Sequence, residues 1–113
     1  MKPLVLRAKA REDRRHQIRF HRDRAGEGTA LRLISAIETA LHQLSRDLGI
    51  GSPAIGQSVE IEGLRRRRLT GFPSSLWYFE LEGHFDVLRL VGQRMEAHWV
   101  DFELLDRDDD EAR

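Results

Sequence analysis

Residues 63–94 read GLRRRRLTGFPSSLWYFELEGHFDVLRLVGQR, and this stretch decides the fold class. It joins a basic segment, a turn marked by Pro73 and two apolar runs at 76–81 and 85–91. Both runs have the composition of strands, and Glu82, Gly83 and His84 between them predict a hairpin turn. The second run is almost continuously apolar, which is typical of a central strand. The stretch therefore predicts the core of a small antiparallel sheet.

The first sixty residues supply the other elements of the predicted fold. Residues 4–6 form a short apolar run that predicts a first strand. Residues 8–24 predict a polar surface helix with a thin apolar stripe. After a glycine-containing break, residues 29–48 carry apolar side chains at helical spacing, which predicts an amphipathic helix of about 18 residues with Thr29 as its N-cap, although Gly28 serves nearly as well. A strand, an antiparallel helical hairpin and a mainly antiparallel three-strand segment make one α+β domain with a single small sheet.

The length and the lack of cysteine restrict the class of protein. A chain of 113 residues has room for one modest core, so we expect a single domain over residues 1–100 and a partly disordered acidic tail over residues 101–113. Without cysteine, a disulfide framework and a thiolate metal site are both excluded, which fits a reducing cytosol. No window approaches the ~18 to 20 apolar residues of a membrane helix, so we expect a soluble cytoplasmic protein.

Charge is distributed unevenly along the chain, although the formal net charge is zero. Residues 1–24 hold nine basic residues against three acidic ones, whereas residues 101–113 hold two against seven. This segregation predicts a basic surface that attracts an acidic partner. The acidic tail either competes for that surface or keeps the protein soluble.

Four consecutive arginines, at positions 65 to 68, are the most distinctive group of charges. In a strand, alternate arginines point to opposite faces of the sheet. Together with the neighbouring Trp77 and Tyr78 they combine phosphate-binding charge with stacking rings, as in a sheet that binds or cleaves RNA. The alternative is that they form ion pairs with nearby glutamates or with the carboxylates of a partner protein. Arg89, inside the most apolar run, is likewise either paired with an acid or directed at a functional surface.

Metal and cofactor chemistry find no support in the sequence. The five histidines lack the spacing of a metal site, and the glycines form neither a phosphate loop nor a dinucleotide fingerprint. We therefore predict no metal and no cofactor.

Several motifs follow one another in a fixed order across residues 4–96. They are the Ala10 to Asp13 start of the first helix, the amphipathic second helix, the loop with Pro53 and Gly56, the Gly63-Leu64-Arg65 turn into the basic strand, the Phe72-Pro73 turn ahead of Tyr78, and Val87-Leu88-Arg89-Leu90 before Arg94. In this order and spacing the chain resembles the ParE branch of the ParE/RelE toxins of bacterial toxin–antitoxin pairs.

The resemblance implies the toxin of a type II toxin–antitoxin system, which serves plasmid or chromosome maintenance and is neutralised by a cognate antitoxin in a hetero-oligomer. For the ParE branch it implies inhibition of DNA gyrase with trapping of cleaved DNA, and it carries over no catalytic residue. The alternative in the same superfamily is a RelE-like mRNA endonuclease that acts on the ribosome with basic sheet residues and a general acid or base. Gly92 stands where such relatives often have histidine, so His98 would have to fold back onto the sheet. A degenerate toxin-derived binding module is the third alternative.

These expectations define two candidate surfaces. The target or partner surface comprises Arg65, Arg66, Arg67, Arg68, Trp77, Tyr78, Arg89 and Arg94, and the antitoxin groove comprises Phe79, Trp99 and Phe102.

Overall fold

Two helices and four strands make up residues 2–46 and 62–92, which are the residues that the computed structural model describes. In chain order they are β1 (Leu4–Leu6), α1 (Ala8–Ala25), α2 (Glu27–Arg46), β2 (Arg65–Arg68), β3 (Ser75–Glu80) and β4 (Phe85–Val91). This confirms the predicted α+β class. The domain boundary at residue 100 lies outside the described residues and stays a prediction.

The start of α2 differs from the sequence-based expectation. The helix begins at Glu27, two residues before the predicted N-cap. Because Thr29 is inside the first turn, its hydroxyl donates a hydrogen bond to the Ala25 carbonyl, at 3.2 Å, instead of accepting one from the helix. The connection between the helices is reduced to Gly26, whose φ of 90° lies in the left-handed region that glycine adopts without strain.

The strands form one sheet in the order β1-β4-β3-β2. The β2–β3 and β3–β4 pairs are antiparallel, and β1 pairs with β4 in parallel. Parallel neighbours need a long crossover connection, and the helical hairpin provides its first part. All seven residues of β4 are buried, as expected for the predicted central strand.

A β-bulge at Leu88 changes which residues of β4 lie on each face of the sheet. Trp77 lies opposite Arg89 but Tyr78 lies opposite Val87, so Leu88 is the extra residue. The bulge shifts the alternation by one residue. As a result Val87 and Leu90, three positions apart, both belong to the core against the helices.

The core lies between the helices and one face of the sheet, which we call the helix face. α2 supplies most of the helical contribution through Leu33, Ile37 and Leu44, whereas Ala10 is the one buried residue of α1. The thin apolar stripe of α1 predicted this difference. The sheet supplies Leu76, Tyr78, Phe85, Val87 and Leu90. The other face, which carries Trp77, Phe79 and Arg89, is called the opposite face below.

Side chains of α1 complete the edge of β4 beyond the end of β1. Asp13 accepts a hydrogen bond from the Leu90 backbone N–H at 3.0 Å, and Gln17 donates one to the Leu90 carbonyl at 3.0 Å. The two residues are four apart, so they lie on one face of the helix. They satisfy backbone groups that a longer β1 would otherwise pair.

Candidate interaction site

The basic strand β2 lies at one edge of the sheet, with β3 as its neighbour. Arg67 is in register with Leu76, which is on the helix face, and Arg66 is in register with Trp77, which is on the opposite face. The predicted alternation of the arginines is therefore present. Within residues 2–46 and 62–92, no strand pairs with the outer edge of β2, so backbone groups of this strand face outward.

The arginines of β2 remain accessible to a partner. Arg68 is exposed, and the other three are half-buried. Arg67 donates a hydrogen bond to the side-chain oxygen of Gln43 on α2. Among the described residues, neither Arg66, Arg67 nor Arg68 forms an ion pair, and Glu80 at the end of β3 contacts Lys2 at 3.4 Å. Acids outside the described residues, whether of this chain or of a partner, are candidate counterions for these three positions.

A groove of about 510 Å³ runs between α2 and β2. We call it the basic groove, because the described residues that line it include three arginines and no acid. Hydroxyl and amide groups of α2 and the β2–β3 turn add hydrogen-bonding capacity, and small alanines with one phenyl ring form its apolar part. Its lining comprises Arg32, Ser35, Ala36, Thr39, Ala40, Gln43, Arg67, Arg68, Thr70, Gly71 and Phe72.

The α2 residues of the basic groove were not among the sequence-predicted site residues. Arg32, Thr39 and Gln43 follow at spacings of seven and four, so they form one stripe along the helix. This polar stripe beside an apolar one was readable in the sequence. Its position against β2 was not, because an amphipathic pattern does not specify which strand a helix edge adjoins.

The two aromatic residues predicted as stacking platforms are buried. Trp77 is 4% exposed and Tyr78 is 0% exposed. Tyr78 packs edge-to-face on Phe85 with the ring centroids 5.8 Å apart, inside the core. A nucleobase cannot stack on either ring in this arrangement, because stacking requires an accessible ring face.

Arg89 is paired with an acid, which decides between the two alternatives that its sequence position left open. It is 5% exposed, and its Nε and Nη2 donate to the two carboxylate oxygens of Asp13 at 2.7 and 2.8 Å. Two parallel hydrogen bonds between a guanidinium and a carboxylate fix both groups in one geometry. A second buried pair joins Arg7 to Asp86 in the same bidentate way, at 2.9 and 2.6 Å. Both pairs hold the helical hairpin to β4.

The remaining predicted site residues are Phe79, Arg94, Trp99 and Phe102. Phe79 is half-buried on the opposite face. Arg94, Trp99 and Phe102 lie outside the described residues, as does His98 of the nuclease alternative, so their roles stay predictions.

Neither a metal cluster nor a membrane-spanning helix occurs in the described part of the chain. A search of residues 2–46 and 62–92 found no group of three or more His, Cys, Asp or Glu side chains placed to hold a metal ion. Over the same ranges, neither α1 nor α2 has the combined length and apolarity to cross a bilayer. The imidazole ring of His21 packs edge-on with the rings of Phe20 and Phe72, with the ring centroids 5.5 and 5.4 Å apart.

Comparison with known proteins finds a solved structure with a similar fold. No family model matches the chain, and no curated protein matches it significantly. A solved structure described as the chromosomal ParDE TA system from P. aeruginosa contains a chain that is 22% identical and superimposes with a TM-score of 0.69. The match covers 81% of this chain and 96% of that chain. It confirms the ParE-like fold that the order of sequence motifs predicted.

Proposed function

We propose, from the ParE-like fold, that this protein is the toxin of a type II toxin–antitoxin system and that a cognate antitoxin protein binds and neutralises it. One observation carries the proposal: 96% of a chain from a ParDE TA system superimposes on 81% of this one. A match of that extent spans most of the chain and is not limited to one common motif. The order of motifs along residues 4–96 supports it independently.

The surface around β2 suits a protein partner. The outer edge of a strand offers backbone donors and acceptors to an added strand, and arginines beside it attract acidic side chains. Arg66 and Arg68 have no acidic partner among the described residues and provide such charge. At the outer edge of β2, an antitoxin segment with acidic residues would therefore have both backbone hydrogen-bond partners and side chains of opposite charge.

For the target we propose DNA gyrase, with the toxin acting in the cytoplasm and trapping cleaved DNA. Three features favour gyrase over the alternative of a ribosome-dependent mRNA endonuclease. Arg89 already has the Asp13 carboxylate as its partner, so its charge is offset. The rings of Trp77 and Tyr78 are buried and give no stacking surface for bases. Gly92 occupies the position after the last strand and brings no acid or base.

The toxin proposal is tested in cells with the neighbouring reading frame. Induction of this chain alone should arrest growth, and co-expression of the small protein encoded beside it should restore growth and yield a complex on purification. Full growth on induction, with the protein soluble and folded, would refute the toxin assignment.

The target is tested with purified protein in two parallel assays. We expect inhibition of gyrase supercoiling with accumulation of cleaved DNA, while mRNA on translating ribosomes stays intact. Codon-positioned mRNA cuts with normal supercoiling would replace gyrase inhibition with the endonuclease alternative. Tight antitoxin binding with no effect in either assay would identify a binding module that has lost its toxic activity.

The contribution of the arginines to antitoxin binding is tested with a matched pair of variants. The double substitution Arg66→Ser and Arg68→Ser should weaken antitoxin binding about 10-fold or more, since each lost charge contact contributes on the order of 1 kcal/mol. Arg15→Ser with Arg19→Ser removes the same charge from the exposed surface of α1 and should leave binding nearly unchanged. An equal loss of antitoxin affinity in both double variants would show that net charge, and not the position of the arginines on β2, determines the affinity.

A further inference from the structure

We infer that the acidic segment 101–113 of this chain docks in the basic groove between α2 and β2. The inference is independent of the proposed function, because it concerns a contact within one molecule. It assigns the groove an occupant that belongs to the protein itself.

Charge complementarity is the first observation. The groove presents Arg32, Arg67 and Arg68, and none of the described residues in its lining is acidic. Residues 101–113 hold seven acidic and two basic residues, with four consecutive acids at positions 108–111. Arg67 and Arg68 have no ion-pair partner among the described residues, so no acid of residues 2–46 or 62–92 offsets their charge.

The second observation is where the sheet delivers the chain. Val91, the last residue of β4, is in register with Ser75, and Ser75 is in register with Arg68. The chain therefore leaves the sheet in the same row as Arg68, two strands away, which is a distance of about 10 Å. From Gly92 to Asp101 there are nine residue steps, and an extended chain of this length spans up to about 30 Å. The acidic segment has ample length to reach the groove.

Because the acidic segment is tethered to the sheet, even a weak contact is sufficient to hold it in the groove for part of the time. A segment joined to its site through a linker of about this length experiences an effective concentration that reaches the millimolar range. An intrinsic affinity of about 1 mM, which a few exposed ion pairs and the apolar floor of Ala36, Ala40 and Phe72 can provide, is then enough to populate the docked state. A docked tail would compete with any acidic partner that approaches β2.

A nitroxide label on the tail tests the contact in the full-length protein. The chain contains no cysteine, so Ala112→Cys provides a single labelling position beside the acidic run and removes no charge. We expect paramagnetic broadening to be strongest at the amide signals of Thr39, Gln43 and Thr70, which line the groove, and much weaker at β1, on the opposite edge of the sheet. Broadening should decrease as NaCl rises from about 50 mM to about 500 mM, since salt screens exposed charges.

Matched variants separate the groove from general electrostatics. In the labelled protein, Arg67→Ser with Arg68→Ser should abolish the broadening, and Arg15→Ser with Arg19→Ser should preserve it. Unchanged amide shifts elsewhere in each spectrum confirm that the variants fold. Broadening that is absent from the groove, or that persists in the Arg67/Arg68 double variant, would overturn the inference.

Two further experiments test whether the docked segment belongs to the same molecule and whether it occupies the groove. In a mixture of labelled unenriched protein and isotope-enriched unlabelled protein, broadening of the groove would show docking between copies and would overturn the intramolecular contact. A synthetic peptide of residues 101–113 should bind about twofold or more tightly to a full-length variant whose four acids at 108–111 are changed to amides, because that variant leaves the groove open. Equal peptide affinity for the parent and the variant would also overturn the inference.

Discussion

Replacing Asp13 with alanine should destabilise this protein more than the loss of any exposed charge. The Asp13 carboxylate accepts from Arg89 at 2.7 and 2.8 Å and from the Leu90 backbone N–H at 3.0 Å. The side chains of Arg89 and Asp13 are only 6% and 14% exposed. Alanine removes the Asp13 carboxylate from the buried Arg89 guanidinium and the acceptor from the Leu90 N–H.

The size of the effect follows from the burial of this pair. Breaking a buried ion pair by removing one partner costs about 3–5 kcal/mol, because the remaining charge is uncompensated. The higher helix propensity of alanine offsets at most about 0.7 kcal/mol. We therefore expect a loss of about 3 kcal/mol or more from a total that is on the order of 5–15 kcal/mol for a small domain.

Urea unfolding measures the loss, with the slope of free energy against urea checked for constancy. Arg22→Ala is the matched control, since Arg22 and Glu27 form an ion pair whose side chains are 45% and 62% exposed. An exposed pair of this kind contributes about 0.2–1 kcal/mol.

A double-mutant cycle completes the test. Arg89→Met removes the buried charge while keeping an apolar side chain, so adding it to Asp13→Ala should recover part of the lost stability. A cost below about 1 kcal/mol for Asp13→Ala, or additive effects in the double variant, would refute the reasoning.

Three smaller predictions use the same unfolding assay. Leu33→Ala should cost about 2–5 kcal/mol because Leu33 is in the core, whereas Leu31→Ala, two positions away and 56% exposed, should change stability by less than about 0.5 kcal/mol; similar effects would contradict the assigned helix face. Gly71→Ala should cost about 1–2 kcal/mol because φ is 83°, while Gly83→Ala, with open space and no positive φ, should be near neutral. Gln17→Ala should cost about 1–3 kcal/mol, since it removes the hydrogen bond to the Leu90 carbonyl, and no measurable loss would show that water replaces it.

The sequence predicted the elements of the fold well because local patterns specify them. The apolar run at 85–91 coincides with β4, and its composition indicated a central strand. The spacing of apolar residues located α2, although the helix begins at Glu27 and not after Thr29. A short polar side chain that can cap a helix can also lie within its first turn, so the residue type alone does not place the boundary.

The candidate site was predicted only in part. Alternation placed Arg66 and Arg67 on opposite faces, as the register confirms. The burial of Trp77 and Tyr78 was not predicted, because a strand sequence does not show how completely each face is covered. The basic groove was missed for a related reason: it combines a polar stripe of α2 with residues about 30 positions later in the chain.

By itself, the sequence determined which segments are helices and strands, the lack of cysteine chemistry and the separation of basic from acidic regions. Only the tertiary structure decided the parallel pairing of β1 with β4, the bulge at Leu88 and the partner of Arg89. Asp13 and Arg89 are 76 positions apart, and no local pattern links them. The physical reason is that periodicity and propensity act over a few residues, whereas ion pairs and grooves arise where distant segments pack together.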